Sequence, residues 1–125
     1  MKRLSRKQIA YMHEMLINET GGTQGIRDNG LLESALNAPF QTFDGEYLYK
    51  SLQLKASKLT FFLVKNHPFV DGNKRIALLT MITFLELNGV EIICTDEELI
   101  ELGIGLASSG IEQKSLLNWI IEHSN

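Results

Sequence analysis

The sequence is poor in cysteine, proline and aromatic residues. Its 125 residues include one cysteine, two prolines and 8% aromatic side chains. A lone Cys94 cannot form an internal disulfide, which excludes a disulfide-stabilised scaffold and is typical of a reducing compartment. A content of only two prolines and 10 glycines excludes a collagen-like chain, and a content of 44% hydrophobic residues excludes a disordered chain.

The sequence also lacks long apolar runs and an excess of positive charge. No stretch of about 18 uncharged apolar residues occurs, so we expect no membrane-spanning helix. The basic residues 1–8 are not followed by the apolar core of a signal peptide, which favours a cytoplasmic protein. Twelve Lys and Arg against 15 Asp and Glu give a net charge of −3, which argues against direct nucleic-acid or anionic-membrane binding. The length predicts one domain over residues 1–125, with control supplied by a separate chain.

Capping signals and helical periodicity predict an all-α fold of about six helices. Ser5 with Gln8, and Thr95 with Glu98, have the spacing of capping boxes at helix starts, and Asp28 is a predicted cap of a short helix. The segment 73–88 is apolar on nearly every side, so we expect a buried central helix there. A further helix is expected over residues 51–66 and a last one around residues 116–121, while only residues 90–94 are strand-like.

The segment that joins the two most apolar helices is rich in polar residues, which are costly to bury unless they have a purpose. It reads His67-Pro68-Phe69-Val70-Asp71-Gly72-Asn73-Lys74-Arg75. Pro68 disfavours helical geometry at His67 and so ends the first helix. Gly72 permits a positive φ before the second helix. Phe69 is expected to anchor the loop in the core.

The charges of this segment predict a phosphate site. Asn73, Lys74 and Arg75 would form the first turn of the central helix, where cations are unfavourable unless an anion binds there. Asp71 beside phosphate is a natural Mg²⁺ ligand, and His67 can act as a general base at neutral pH. The residues alone leave other interpretations open: a structural histidine, a helix-capping aspartate and ordinary surface cations. His13 and His123 are expected to be solvated surface residues.

The segment resembles the signature motif of the Fic/Doc family, His-x-Phe-x-(Asp/Glu)-(Gly/Ala)-Asn-(Gly/Lys)-Arg, at every fixed position. Residues 26–36 and 84–89 resemble sequences that are typical of its Doc (death-on-curing) branch. The resemblance covers essentially the whole chain and implies a compact helical fold. It also implies that His67 deprotonates a hydroxyl of a target protein, that Asp71 binds Mg²⁺, and that Gly72, Asn73 and Arg75 hold the phosphates of ATP.

Two positions depart from the family members that transfer AMP. Lys74 stands where those members usually have Gly, and Leu78 where they usually have a second Arg. Both departures resemble Doc, which implies transfer of phosphate from ATP to elongation factor Tu and arrest of translation, with Lys74 in the phosphate clamp. Gly72 resembles the AMP-transferring members, so AMP transfer is the alternative. A binding protein without catalysis is a third hypothesis.

Two further expectations concern partners. The aromatic residues 43–49 surround the turn pair Asp44-Gly45, which is typical of a short hairpin or an ordered loop. By position, the resemblance implies a flap that binds the target backbone there, formed by Phe43, Asp44, Gly45, Glu46 and Tyr47. No glutamate is followed by Gly or Asn, so the inhibitory (Ser/Thr)-x-x-x-Glu-(Gly/Asn) motif of many relatives is absent. The resemblance implies a separate antitoxin chain instead.

Overall fold

The computed structural model describes residues 1–107 and 112–125, and within them it contains six α-helices and a two-stranded antiparallel sheet. The predicted all-α fold is confirmed. No helix of these residues is both long enough and apolar enough to span a membrane. The elements are α1 (Arg6–Thr20), α2 (Asn29–Asn37), a 3₁₀ turn (Ala38–Phe40), β1 (Thr42–Phe43), β2 (Glu46–Tyr47), α3 (Leu52–Asn66), α4 (Asn73–Leu87), α5 (Asp96–Ala107) and α6 (Gln113–His123).

The helices begin where the capping signals predict. The Ser5 hydroxyl accepts from the Gln8 N–H at 3.2 Å, and the Gln8 side chain accepts from the Ser5 N–H at 2.8 Å. Thr95 and Glu98 form the same reciprocal pair before α5, at 3.1 and 2.9 Å. Asp28 caps α2. Each cap satisfies an N–H group that the first turn of a helix leaves unpaired, so the start is set locally.

Helices α3 and α4 form the centre of the fold, pack on each other and contact the other four helices between them. Much of the core lies on these two helices: Ala56, Leu59, Leu63, Ile76, Ala77, Met81, Phe84 and Leu85. The prediction that α4 is buried on nearly every side is wrong for one face. Leu78, Leu79 and Ile82 are only half-buried, because they line an open apolar groove of about 490 Å³ against α1 and α5.

Of the two segments predicted to be extended, residues 42–47 form a hairpin and residues 90–94 do not form a strand. Residues 42–47 form the predicted hairpin, with Asp44 (φ 54°) and Gly45 (φ 81°) in the left-handed conformations that a two-residue turn requires. The strand-like prediction for residues 90–94 is wrong in the described part of the chain. That segment forms only an isolated bridge, between Ile92 and Ser124, because its partner is still helical up to His123.

Candidate active site

The loop between α3 and α4 forms an open pocket of about 230 Å³. All the residues predicted for catalysis, phosphate and metal line it: His67, Asp71, Gly72, Asn73, Lys74 and Arg75, together with Val70. The hairpin residues 43–47 do not line this pocket. The structure therefore brings the predicted catalytic and phosphate residues together and leaves the predicted flap outside the pocket itself.

His67 ends α3 in a left-handed backbone conformation, with φ 49° and ψ 54°. This conformation costs a non-glycine residue about 1–2 kcal/mol. Arg27 stabilises it, since its guanidinium donates to the carbonyl oxygens of His67 at 2.7 Å and Asn66 at 2.9 Å. The His67 side chain is exposed and has no hydrogen-bond partner within residues 1–107 and 112–125. Its imidazole is therefore available to a substrate proton.

Phe69 and Asn73 hold the loop from inside. Phe69 is fully buried, as predicted. The Asn73 side chain, 4% exposed, donates to the Phe69 carbonyl at 3.0 Å and accepts from the Phe69 N–H at 2.9 Å. The amide is thereby committed to the loop backbone. What Asn73 offers to a phosphate is its own N–H group in the first turn of α4.

The segment between α1 and α2 holds the loop from outside. The N–H groups of Arg27 and Asp28 donate to the Pro68 carbonyl at 2.7 and 3.0 Å, and the Val70 N–H donates to the Gly25 carbonyl at 3.0 Å. These contacts join positions at least 40 residues apart in the sequence. They place Arg27 and Asp28, at the start of residues 26–36, directly against the motif loop.

Asp71 is prepared to carry a negative charge. Its Oδ2 accepts from the Thr23 N–H at 3.0 Å, its Oδ1 accepts from the Gly72 N–H at 2.8 Å, and the Arg75 guanidinium lies 3.7 Å from Oδ1. These two backbone hydrogen bonds, Thr23 first, and the nearby Arg75 hold the pKa of Asp71 below its usual value. Each carboxylate oxygen keeps a further acceptor site, and the side chain is half exposed. The residues therefore fit a Mg²⁺ ion that takes one carboxylate and phosphate oxygens.

The Fic/DOC family profile matches residues 3–85, about two thirds of the chain. The chain belongs to the Fic/Doc family. It is 44% identical over 72 residues to a protein named Toxin Doc from Mycolicibacterium smegmatis, which is 58% of this chain and 55% of that protein. It thus spans little more than half the length of that relative. It is also 28% identical over 116 residues to a protein named Protein kinase doc from Escherichia phage P1, which is 93% of this chain and 90% of that protein.

The two cations of this Fic/Doc motif have different environments. Lys74 is exposed at the second position of α4, and its ammonium has no partner among the described residues. Arg75 is held at the end of α1, because its Nη1 donates to the Thr20 hydroxyl at 2.6 Å and to the Gly21 carbonyl at 2.8 Å. Lys74 is therefore the freer cation at the helix start, and Arg75 lines the pocket from a fixed position.

The surroundings of Gly72 and Leu78 bear on the two reactions that the sequence leaves open. Gly72 has φ 75°, as predicted, and a Cβ atom there would lie 2.9 Å from Cδ1 of Ile17. Leu78 lies in the apolar groove, where a Cβ on Gly103 would be 3.4 Å from its Cδ1. The apolar side chain of Leu78 therefore contributes to the apolar lining of this groove, which an arginine would make more polar.

The prediction that His13 and His123 are solvated surface residues is wrong for both. His13, expected at the surface, is 2% exposed and approaches the Asp71 carbonyl oxygen to 2.7 Å through Nε2. His123, also expected at the surface, is half-buried, stacks on Trp119 and contacts Glu98 at 2.7 Å. A signal for His13 was present, because it is four residues from both Ile9 and Ile17 on the buried face of α1.

Proposed function

We propose that this chain is a Doc-like toxin that transfers the γ-phosphoryl group of ATP to a hydroxyl of a target protein. The observation that carries the proposal is the free ammonium of Lys74 at the start of α4, in one pocket with His67 and Asp71. The likeness to a protein named Protein kinase doc over 93% of the chain supports the same reaction.

The proposed roles follow from position and charge. His67, exposed and unpaired in the described chain, accepts the proton of the target hydroxyl. Lys74, Arg75 and the first N–H groups of α4 hold the phosphates, since the helix start favours anions. Asp71 would hold Mg²⁺, which neutralises phosphate charge when it is bound. Phosphoryl transfer depends mainly on positioning and charge neutralisation, and these are the roles proposed for these groups.

AMP transfer on the same scaffold is the competing reaction. Gly72 is the position that favours it, but the left-handed φ of +75° favours a glycine there whichever reaction occurs. The second phosphate-binding arginine of AMP-transferring members is replaced by Leu78, in an apolar groove. The Gly72 observation is neutral between the two reactions, and the Leu78 observation favours the phosphoryl reaction.

Transfer of label distinguishes the reactions. The chain is incubated with elongation factor Tu and Mg²⁺, with either γ-labelled or α-labelled ATP, beside a His67→Ala control. We expect label in the target only from γ-labelled ATP, and none with His67→Ala. Label from α-labelled ATP alone would establish AMP transfer and refute the proposal. Growth inhibition that is unchanged in His67→Ala would establish the third hypothesis, a binding protein without catalysis.

Elongation factor Tu as the target, a cytoplasmic site of action and a separate antitoxin chain are parts of this proposal. The relative named Toxin Doc supports the toxin class. The hairpin β1–β2 is exposed, with Phe43 at 76% exposure, and could add a strand to an extended target peptide. Such binding uses the main-chain groups of residues 43–47 more than their side chains.

A further inference from the structure

We propose that His13 is a positioning residue of the active site. Through the Asp71 carbonyl it fixes the peptide group that orients the Asp71 carboxylate. The inference rests on the proposed function, in which that carboxylate holds Mg²⁺ beside the phosphates.

His13 makes one directional contact and one packing contact. Its Nε2 lies 2.7 Å from the Asp71 carbonyl oxygen. Because a carbonyl oxygen only accepts, Nε2 must carry the proton and donate it. The His13 ring stacks on the Phe69 ring, with the centroids 3.9 Å apart and the planes within 11°. Since Phe69 is fully buried, this stacking fixes the rotation of the imidazole and aims its N–H group.

The peptide group that accepts this hydrogen bond also donates one. The Asp71 carbonyl and the Gly72 N–H belong to the same planar unit, and the Gly72 N–H donates to Asp71 Oδ1 at 2.8 Å. A rotation of this unit would lose both bonds, so His13 holds the carboxylate through it. Hydrogen bonds arranged in series also polarise one another, which strengthens the hydrogen bond from the Gly72 N–H to the Asp71 carboxylate.

Helix α1 and the loop after it thus hold Asp71 at two points, and Arg75 of α4 supplies a third contact. His13 holds its carbonyl, the Thr23 N–H holds Oδ2 at 3.0 Å, and Arg75 reaches the end of α1 while it lies near Oδ1. Stacking alone does not explain a histidine at position 13, because a phenylalanine could stack on Phe69 as well. What only the histidine supplies is the donor to Asp71.

The test separates the hydrogen bond from the stacking. His13→Phe keeps the ring and removes the donor, whereas His13→Gln removes the ring and places an amide N–H near the Nε2 position. His123→Phe is the matched control, since His123 is also stacked, on Trp119, and lies outside the pocket. Phosphate transfer is measured against Mg²⁺ concentration, together with kcat, KM for the target and the denaturation midpoint.

We expect His13→Phe to raise the Mg²⁺ concentration for half-maximal transfer about tenfold and to lower kcat, as is typical when a residue that orients a metal ligand is lost. KM for the target should not change, and His13→Gln should recover most of the loss. His123→Phe should lower the denaturation midpoint without a change in Mg²⁺ requirement. A wild-type Mg²⁺ requirement and kcat in His13→Phe would overturn the inference.

A second readout does not depend on activity. In the nucleotide-free protein, His13→Phe should shift the Gly72 amide resonance and speed its hydrogen exchange, and His123→Phe should not. An unchanged Gly72 amide would overturn the inference even if the wild type transferred no γ-phosphoryl group, a result that would refute only the proposed function. If His13→Phe does not fold, His13→Asn replaces it, because its shorter amide cannot reach the Asp71 carbonyl.

Discussion

The side chain of Asn73 is predicted to hold phosphate by the family resemblance, whereas its hydrogen bonds predict a large effect on stability. Asn73→Ala removes both partners of the Phe69 backbone, the donor at 3.0 Å and the acceptor at 2.9 Å. Phe69 is fully buried and Asn73 is 4% exposed, so water cannot easily replace them. A site loop that loses these bonds should open at the junction of α3 and α4.

The magnitude follows from the two groups that are left unpaired. A buried donor or acceptor without a partner costs about 1–3 kcal/mol. Because the two bonds share one amide and one peptide segment, their costs overlap, and we expect a loss of about 2–4 kcal/mol in the free energy of unfolding. A domain is stabilised by only about 5–15 kcal/mol in total, so the change should be large in any denaturation experiment.

Urea unfolding followed by fluorescence of the single tryptophan, Trp119, measures this loss. Lys74→Ala is the control from the same helical turn: its side chain is exposed, so the free energy of unfolding should change by less than about 0.5 kcal/mol while phosphate transfer falls. The reasoning is refuted if Asn73→Ala unfolds like the wild type and only its KM for ATP rises. That result would mean that the Asn73 amide binds substrate and not the loop.

Two further predictions concern Asp71 and His123. Gly22→Ala should abolish phosphate transfer, because at φ +124° its Cβ would lie 2.6 Å from Asp71 Oδ2. Gly21→Ala is the control, since Gly21 has φ +86° and nothing within 4 Å, and it should cost only about 1–2 kcal/mol of backbone strain. A Gly22→Ala variant that still transfers phosphate would contradict the prediction. Hydrogen bonds to the Trp119 carbonyl and then to Glu98 raise the pKa of His123 in the folded protein. The protonated form of His123 therefore stabilises the fold below about pH 6.5, and this stabilisation is lost as the pH rises through the pKa of His123 in the folded protein. The stability advantage of the wild type over His123→Gln, measured by urea unfolding, should therefore shrink as the pH rises above about 6.5, and an advantage that stays constant would contradict this.

Much of the fold could be predicted because its signals are local. A capping box such as Ser5 with Gln8 lies within one helical turn, and the hairpin turn Asp44-Gly45 within two residues. The pocket was also predictable as a place, since the residues that line it are contiguous in the sequence, between His67 and Arg75. Caps and turns of this kind form between residues that are close in the sequence, so they do not depend on the rest of the fold.

What could not be predicted depends on contacts between distant residues. The Asp71 carbonyl meets His13 across 58 positions, and the His67 carbonyl meets Arg27 across 40. No local rule places these pairs together. The strand prediction for residues 90–94 fails for the same reason. Their β-branched residues indicate a strand, but a sheet also needs an extended partner segment, and the segment beside them is mostly helical.

The motif loop divides its positions between two tasks. Phe69 and Asn73 are buried and hold the backbone, whereas His67 and Lys74 point into solvent. Substitution at an exposed position can therefore change the surface that the loop presents to a ligand with little effect on folding, while the buried pair preserves the scaffold. Single substitutions at the exposed positions should therefore leave the scaffold intact, so that the chemistry of this pocket can change without a change in the fold.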